Sequence, residues 1–254
     1  LFENGWFELQ DAGSQAIAEC GAARRGERVI DFCAGAGGKT LALAARMRNQ
    51  GQVLAFDTDE ARLSRLGPRL KRAGVDIVTQ MRLKDSTDAR LARYQGWADL
   101  VLVDAPCSGS GTLRRHPDLK WRLQPQEVAH YRQLQRQIMA AAARLLRPGG
   151  RLVYATCSLL ADENEAQMAW LAHRAGGALA AGGTTGAAGA AGATERALDL
   201  TGSARAAAVG AAVGGVQATD PAWPAVSLQP VAQRYWLPQP EGGDVFFMAS
   251  WTRA

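Results

Sequence analysis

The sequence predicts an α/β domain organised around a doubly wound, mostly parallel β-sheet. Short apolar runs alternate with segments of helical periodicity along most of the chain. One run, Asp99-Leu-Val-Leu-Val-Asp104, is apolar without interruption, which suits a strand buried on both faces at the centre of a parallel sheet. Residues 28–33 read as the first strand, and 40–48 as a short helix with Leu41, Leu43, Ala44 and Met47 apolar. Residues 52–57 give a second strand, 60–73 a second helix, 75–80 a third strand and 99–104 the fourth. A long helix is predicted over 125–146, with Pro125 in its first turn and Val128, Tyr131, Leu134, Ile138, Ala142 and Leu145 along one stripe. Arg147-Pro-Gly-Gly150 ends it, residues 151–156 form a fifth strand, and residues 244–251 read as a late strand that completes the sheet. Ligands of such sheets bind outside the carboxyl ends of the strands.

The chain of 254 residues can bury a sizeable core, and 47% hydrophobic with 21% charged residues is ordinary for a globular domain. The net charge is +5, supplied mostly by arginine, a side chain suited to bidentate phosphate contacts, so a polyanionic partner is expected. Cys20, Cys33, Cys107 and Cys157 lie far apart, without zinc-ligand spacing and without a secretory signal. That predicts free thiols, no metal site and a cytoplasmic location. No apolar run is long enough to cross a membrane. The chain opens at Leu1 inside what reads as a continuing sequence, so one domain over residues 1–254, cut from a longer chain, is expected. Residues 176–215 are mostly Ala and Gly and read as a flexible low-complexity insertion, with weak helical tendency at 204–209.

The first strand leads into Asp31-Phe-Cys-Ala-Gly-Ala-Gly-Gly-Lys-Thr40, and glycines at a strand-to-helix turn let backbone approach a ligand closely. A nucleotide P-loop would need glycine where Cys33 stands, although Lys39-Thr40 imitates its end. A dinucleotide fingerprint matches at Gly35 and Gly37 and fails at Thr40. The third reading is an S-adenosylmethionine site, which needs a tight glycine turn and an acid at the end of the second strand for the ribose hydroxyls, where Asp57 sits. Asp85 follows the third strand and could face the adenine. A lone Asp at a strand end is usually a helix cap. Here Asp31, Asp57, Asp85 and Asp104 all fall near strand ends on the presumed ligand side.

Two cysteine motifs bear on the chemistry. Asp104-Ala-Pro-Cys-Ser-Gly-Ser-Gly111 follows the fourth strand and Ala155-Thr-Cys-Ser158 the fifth. An isolated Cys is ordinarily a small buried hydrophobe. Two at neighbouring strand ends would instead face one cleft. Carbon 5 of cytosine is a poor nucleophile, and a thiolate adding to carbon 6 turns the ring into an enamine that can take a methyl group. That chemistry needs an activated thiol and an acid–base partner. Asp104 is the candidate for stabilising the adduct at ring nitrogen 3. The residues alone leave open which cysteine attacks.

The motifs Asp-Ala-Pro-Cys-Ser, Thr-Cys-Ser and Cys-Ala-Gly-Ala-Gly-Gly-Lys resemble those of the RsmB/nucleolar/NSUN family of RNA cytosine-5 methyltransferases. Leu113-Arg-Arg-His-Pro-Asp-Leu-Lys-Trp121, the opening Gly5-Trp-Phe with Gln10-Asp11, and the closing Gly-Asp-Val-Phe-Phe look most like its bacterial branch, which modifies small-subunit ribosomal RNA. The resemblance covers nearly all of residues 5–175 and 234–251. It implies the class I S-adenosylmethionine-dependent, Rossmann-like fold and an RNA partner. It also implies Cys157 as nucleophile and Cys107 as the residue that assists product release. Cofactor contacts carry over to Cys33, Ala34, Gly35, Ala36, Gly37, Gly38 and Lys39, and to Asp57, Asp85 and Asp104. Two departures stand out: Ala36 replaces a common proline, which is expected to loosen the turn, and the family's N-terminal RNA-binding domain is not found in these residues. Arg114, Arg115, His116, Lys120 and Trp121 form a basic, aromatic loop suited to phosphate contact and base stacking, or simply to solvation. The competing function is a catalytically degenerate RNA-binding or assembly factor of the same fold.

Overall fold

The computed structural model describes residues 1–175, 224, 226–236 and 244–254; the expected Ala/Gly insertion lies outside them. In chain order the elements are α1 (Ala12–Cys20), β1 (Arg28–Asp31), α2 (Gly38–Arg46), β2 (Gln52–Asp57), α3 (Glu60–Leu63), α4 (Leu66–Ala73) and β3 (Val78–Arg82). Then follow β4 (Ala98–Asp104), α5 (Leu119–Arg122), α6 (Pro125–Leu145), β5 (Leu146–Thr156), α7 (Glu165–Arg174), β6 (Leu228–Trp236) and β7 (Phe246–Arg253). The sheet order is β3-β2-β1-β4-β5-β7-β6, parallel from β3 to β5, with β7 antiparallel to both its neighbours. The predicted doubly wound α/β class is therefore observed. The order reverses between β1 and β4, which opens a crevice at the carboxyl ends of these strands.

Alternation along the central strands builds both faces of the core. Leu100 and Leu102 pack with Ile17, Leu43, Met47 and Val153 on one side. Val101 and Val103 pack with Met139, Leu152, Tyr154 and Trp170 on the other. The stripe predicted for α6 is buried in its C-terminal half, at Ile138, Ala142 and Leu145, while Val128, Tyr131 and Leu134 are only half-buried.

Several boundaries differ from the sequence reading. The helix expected over 60–73 is two helices, because Pro68 has no N–H to donate to the preceding turn. The third strand starts three residues later and ends two residues later than expected, paired from Val53↔Val78 to Asp57↔Arg82. It is an edge strand with an exposed, polar face, so hydrophobicity does not mark its bounds. β6 is a second edge strand that the sequence did not announce; it carries Pro230, which edge positions tolerate. The helices α1 and α7 were also not anticipated. Among the described residues, no helix is long and apolar enough to cross a membrane, and no group of three or more His, Cys, Asp or Glu side chains could hold a metal ion.

Candidate active site

The glycine turn joins β1 to α2 with Gly35 at φ 54° and Gly37 at φ 84°, both in the left-handed region that favours glycine. The Gly35 N–H donates to Asp57 Oδ2 at 2.7 Å, and the other Asp57 oxygen accepts from the Asp59 N–H at 2.8 Å. Asp57 thus ties the end of β2 to the turn, while Asp59 is the cap of α3. The Ala36 carbonyl accepts from Arg69 Nη1 at 2.6 Å. Arg69 and Arg72 in turn both pair with Glu8. The turn that lacks proline is therefore held from outside by α4 and the N-terminal segment. Arg62 lies directly over the turn: a Cβ on Gly35 would come within 2.5 Å of its Nη2. The sequence reading missed Arg62, whose only local signal is an arginine in the first helix after β2.

Asp31 is fully buried and accepts from the Thr40 hydroxyl at 2.7 Å, but its Oδ1 has no partner. Burial raises its pKa to about 6, against the opposing Thr40 hydrogen bond and the Lys39 charge. Burial also lifts the Cys33 thiol well above its ordinary range, so Cys33 lines the turn as an unreactive group. Asp85 sits in the half-exposed loop after β3, where the Thr87 hydroxyl (2.5 Å) and N–H (2.7 Å) hold its carboxyl below the usual range.

Parallel pairing of β4 with β5 sets Asp104 beside Ala155 and brings the two cysteine loops together. Cys107 Sγ and Cys157 Sγ lie 3.4 Å apart, both half-buried. Lys39 reaches across the crevice to Asp104 Oδ2 at 2.6 Å and to Ser14 Oγ of α1 at 2.9 Å. Burial alone would lower the Lys39 pKa, but the charge and hydrogen bond of Asp104 more than offset it and keep the ammonium charged. The two thiols are pushed apart. A hydrogen bond from Cys107 lowers the Cys157 pKa, with Lys39 assisting against burial and the Asp104 charge. The same hydrogen bond raises Cys107 well above its ordinary value, and burial, the Cys157 charge and Glu163 add to it. Gly111 is wedged behind this pair, donating to the Cys157 carbonyl at 2.9 Å and accepting from the Val245 N–H at 3.1 Å.

Below the cysteines lies a buried polar cluster that the sequence did not signal: Glu163, Asn164, Gln135, Thr156, Ser108 and Ser158. Thr156 donates to Asn164 Oδ1 at 2.6 Å, and the Asn164 amide donates to the Ser158 carbonyl at 2.9 Å and to Tyr235 of β6 at 3.0 Å. The unexpected edge strand thereby braces the Cys157 loop. In the basic loop, Arg115 is not free for phosphate, because it forms a two-pronged pair with the buried Asp244. Arg114 and Lys120 remain exposed, and Trp121 is 77% exposed with the Lys120 ammonium 4.9 Å from its ring centre.

A family model described as 16S rRNA methyltransferase RsmB/F matches residues 20–252. The ribosomal RNA small subunit methyltransferase B of Klebsiella pneumoniae is 42% identical over 173 residues, covering 66% of this chain and 38% of that relative. The chain thus spans well under half the length of the curated relatives it matches. Among solved structures, NSun6 from Pyrococcus horikoshii with SFG superposes with a TM-score of 0.71 at 25% identity, covering 99% of this chain and 54% of the other. A methyltransferase homolog protein from the same organism gives a TM-score of 0.68 at 25% identity, covering 99% and 69%. By the extent of the family match and the fold it shares with these structures, the chain belongs to the 16S rRNA methyltransferase RsmB/F family.

Proposed function

We propose that the chain is the catalytic domain of an S-adenosylmethionine-dependent RNA methyltransferase acting on carbon 5 of a cytosine in small-subunit ribosomal RNA, through a Cys157-bound intermediate. The observation that carries this reading is the pair of sulfurs 3.4 Å apart at adjacent strand ends, with Cys157 as the more acidic thiol. The crevice suits the cofactor. The turn from Cys33 to Lys39 brings backbone close, Asp57 and Asp85 offer carboxylates for ribose and adenine, and the orphaned, buried Asp31 Oδ1 suits a cationic ammonium. When bound, S-adenosylmethionine supplies an electrophilic methyl group to carbon 5.

The chain's own residues supply the rest. The Cys157 sulfur adds to carbon 6, and Asp104, anchored by Lys39, stabilises the adduct at ring nitrogen 3. The carbon 5 proton then passes to water, its electron pair restores the carbon 5–carbon 6 double bond, and the carbon 6–sulfur bond breaks to return the Cys157 thiolate; Cys107, in contact with it, assists this release. Arg114, Lys120 and Trp121 offer phosphate contacts and a stacking surface for the RNA beside the site. The test is methyl transfer to 16S ribosomal RNA followed by bisulfite mapping. A single protected cytosine that depends on Cys157 is expected. Absence of S-adenosylmethionine binding under any condition would instead make the chain a degenerate assembly factor.

A further inference from the structure

The buried cluster beneath the cysteines holds a carboxylate that the methyl-transfer steps above leave unused. Glu163 is fully buried, and its two carboxylate oxygens accept from four donors. Oε1 accepts from the Ser108 N–H at 2.9 Å and from the Gln135 amide of α6 at 3.0 Å. Oε2 accepts from the Ser108 hydroxyl at 2.5 Å and the Ser158 hydroxyl at 2.6 Å. Ser108 and Ser158 directly follow Cys107 and Cys157. One carboxylate therefore ties together two loops that leave different strands, at the residues adjoining the two sulfurs.

We propose that Glu163 is the positioning residue that gives the two cysteines their unlike settings, by bridging Ser108 to Ser158 and by placing its charge on the Cys107 side. The inference rests on the reading that Cys157 attacks and Cys107 assists release. The side chains facing the pair are unequally divided. The charges of Asp104 and Lys39 act on Cys157, whereas that of Glu163 acts on Cys107, with Tyr131 and Tyr154 sharing its surroundings. A negative charge beside Cys107 opposes its ionisation and leaves the proton there. The bridge fixes the 3.4 Å separation across which the two sulfurs share a hydrogen bond.

Two variants separate charge from reach. Glu163→Gln keeps the volume and removes the charge, and the serine hydroxyls can turn to meet the new amide. Glu163→Asp keeps the charge and is too short to span both serines. The first measurement is iodoacetamide labelling of each cysteine across pH 6–10, read by peptide mass spectrometry, with circular-dichroism melts alongside. In the wild type, Cys157 should label at lower pH than Cys107. In Glu163→Gln the Cys107-to-Cys157 labelling ratio at pH 8 should rise about tenfold, the change for one pKa unit of a thiolate-limited reaction. A merely structural glutamate would lower the melting temperature and leave that ratio unmoved, and an unmoved ratio overturns the proposal. In Glu163→Asp the labelling order should persist while kcat on RNA falls about tenfold or more and KM holds; a wild-type kcat there overturns the bridging role, including if Glu163→Gln does not fold. The labelling needs neither RNA nor cofactor. A wild type that labels as expected but methylates no cytosine would therefore remove the assigned reaction without touching this result.

Discussion

Replacing Gly111 by alanine should disable the site through space alone. A Cβ at Gly111 would stand 2.4 Å from the Val245 carbonyl oxygen and 3.0 Å from that of Cys157, and both are backbone atoms that cannot swing aside. Restoring ordinary contact requires a shift of about 1 Å, and overpacking of this kind costs about 1–3 kcal/mol. The shift strains two hydrogen bonds, from Gly111 to the Cys157 carbonyl and from Val245 to Gly111, each contributing about 1 kcal/mol. A loss of roughly 2–4 kcal/mol lowers the melting temperature by roughly 5–15 °C in a domain of this size. The functional loss should be the larger effect, because a nucleophile displaced by about 1 Å loses on the order of 100-fold in turnover. The assay is thermal unfolding by circular dichroism together with incorporation of labelled methyl groups into RNA. Gly67→Ala is the control: it lies in α4, where beyond its chain neighbours the new Cβ meets the end of Gln80 at 3.6 Å, and because crowding by Pro68 opposes the gain in helix propensity, stability should change by less than about 1 kcal/mol with turnover unchanged. Wild-type melting and turnover in Gly111→Ala would refute the reasoning.

Cys107→Ala should accumulate a protein–RNA adduct that survives a denaturing gel, whereas Cys157→Ala and the double variant should form none, because addition precedes elimination; adducts in Cys157→Ala alone would reverse the roles. Asp57→Ala should weaken S-adenosylmethionine binding about 10- to 100-fold by calorimetry, since it removes a charged acceptor and frees the Gly35 N–H; equal affinity would leave Asp57 a purely structural role. Asp31 has a folded pKa of about 6 against an ordinary 3.8, so the folded state binds its proton more tightly, and the stability this contributes is present below about pH 4 and lost as pH rises through 6. Asp31→Asn should therefore gain up to about 3 kcal/mol over the wild type between pH 4 and pH 7.5 in denaturant titrations, and a pH-independent difference would contradict the assignment. RNA binding by this chain should weaken steeply with salt, as phosphate contacts dictate, and a flat salt response would place recognition elsewhere than the basic loop.

What the sequence made legible was whatever is encoded locally. The unbroken apolar run of β4 announced a central parallel strand, and the glycine turn announced a ligand site next to it. The adjacency of Cys107 and Cys157 followed because a doubly wound sheet makes the strands before them neighbours. Edge strand β6 escaped and the bounds of β3 were misplaced, since a strand with one exposed side needs no hydrophobic pattern. Arg69 escaped for a different reason. An arginine in a polar helix reads as solvated, and nothing near it in sequence reveals that it grips the Ala36 carbonyl 33 residues away. The same holds for Arg115, which reads as a phosphate ligand and is spent on Asp244, 129 residues distant.

Glu163 shows why the site's support is harder to read than its chemistry. Within Asp162-Glu-Asn-Glu165 it looks like an acidic turn before a helix, where carboxylates favour the helix N-terminus. Its burial comes from three other segments closing over it: the Cys107 loop, α6 through Gln135, and the Cys157 loop. A carboxylate in such a place is costly unless each oxygen is satisfied, and here four donors meet it. Three of the four come from Ser108 and Ser158, whose sequence signature is only that each follows a cysteine, and the fourth is the Gln135 amide. The two cysteines are each visible as short motifs, but the groups that surround them come together only where the strands meet. The two thiols share one residue type, one cleft and one contact. The opposite shifts of their pKa values therefore come from their surroundings, with Lys39 and Asp104 acting on Cys157 and Glu163 on Cys107.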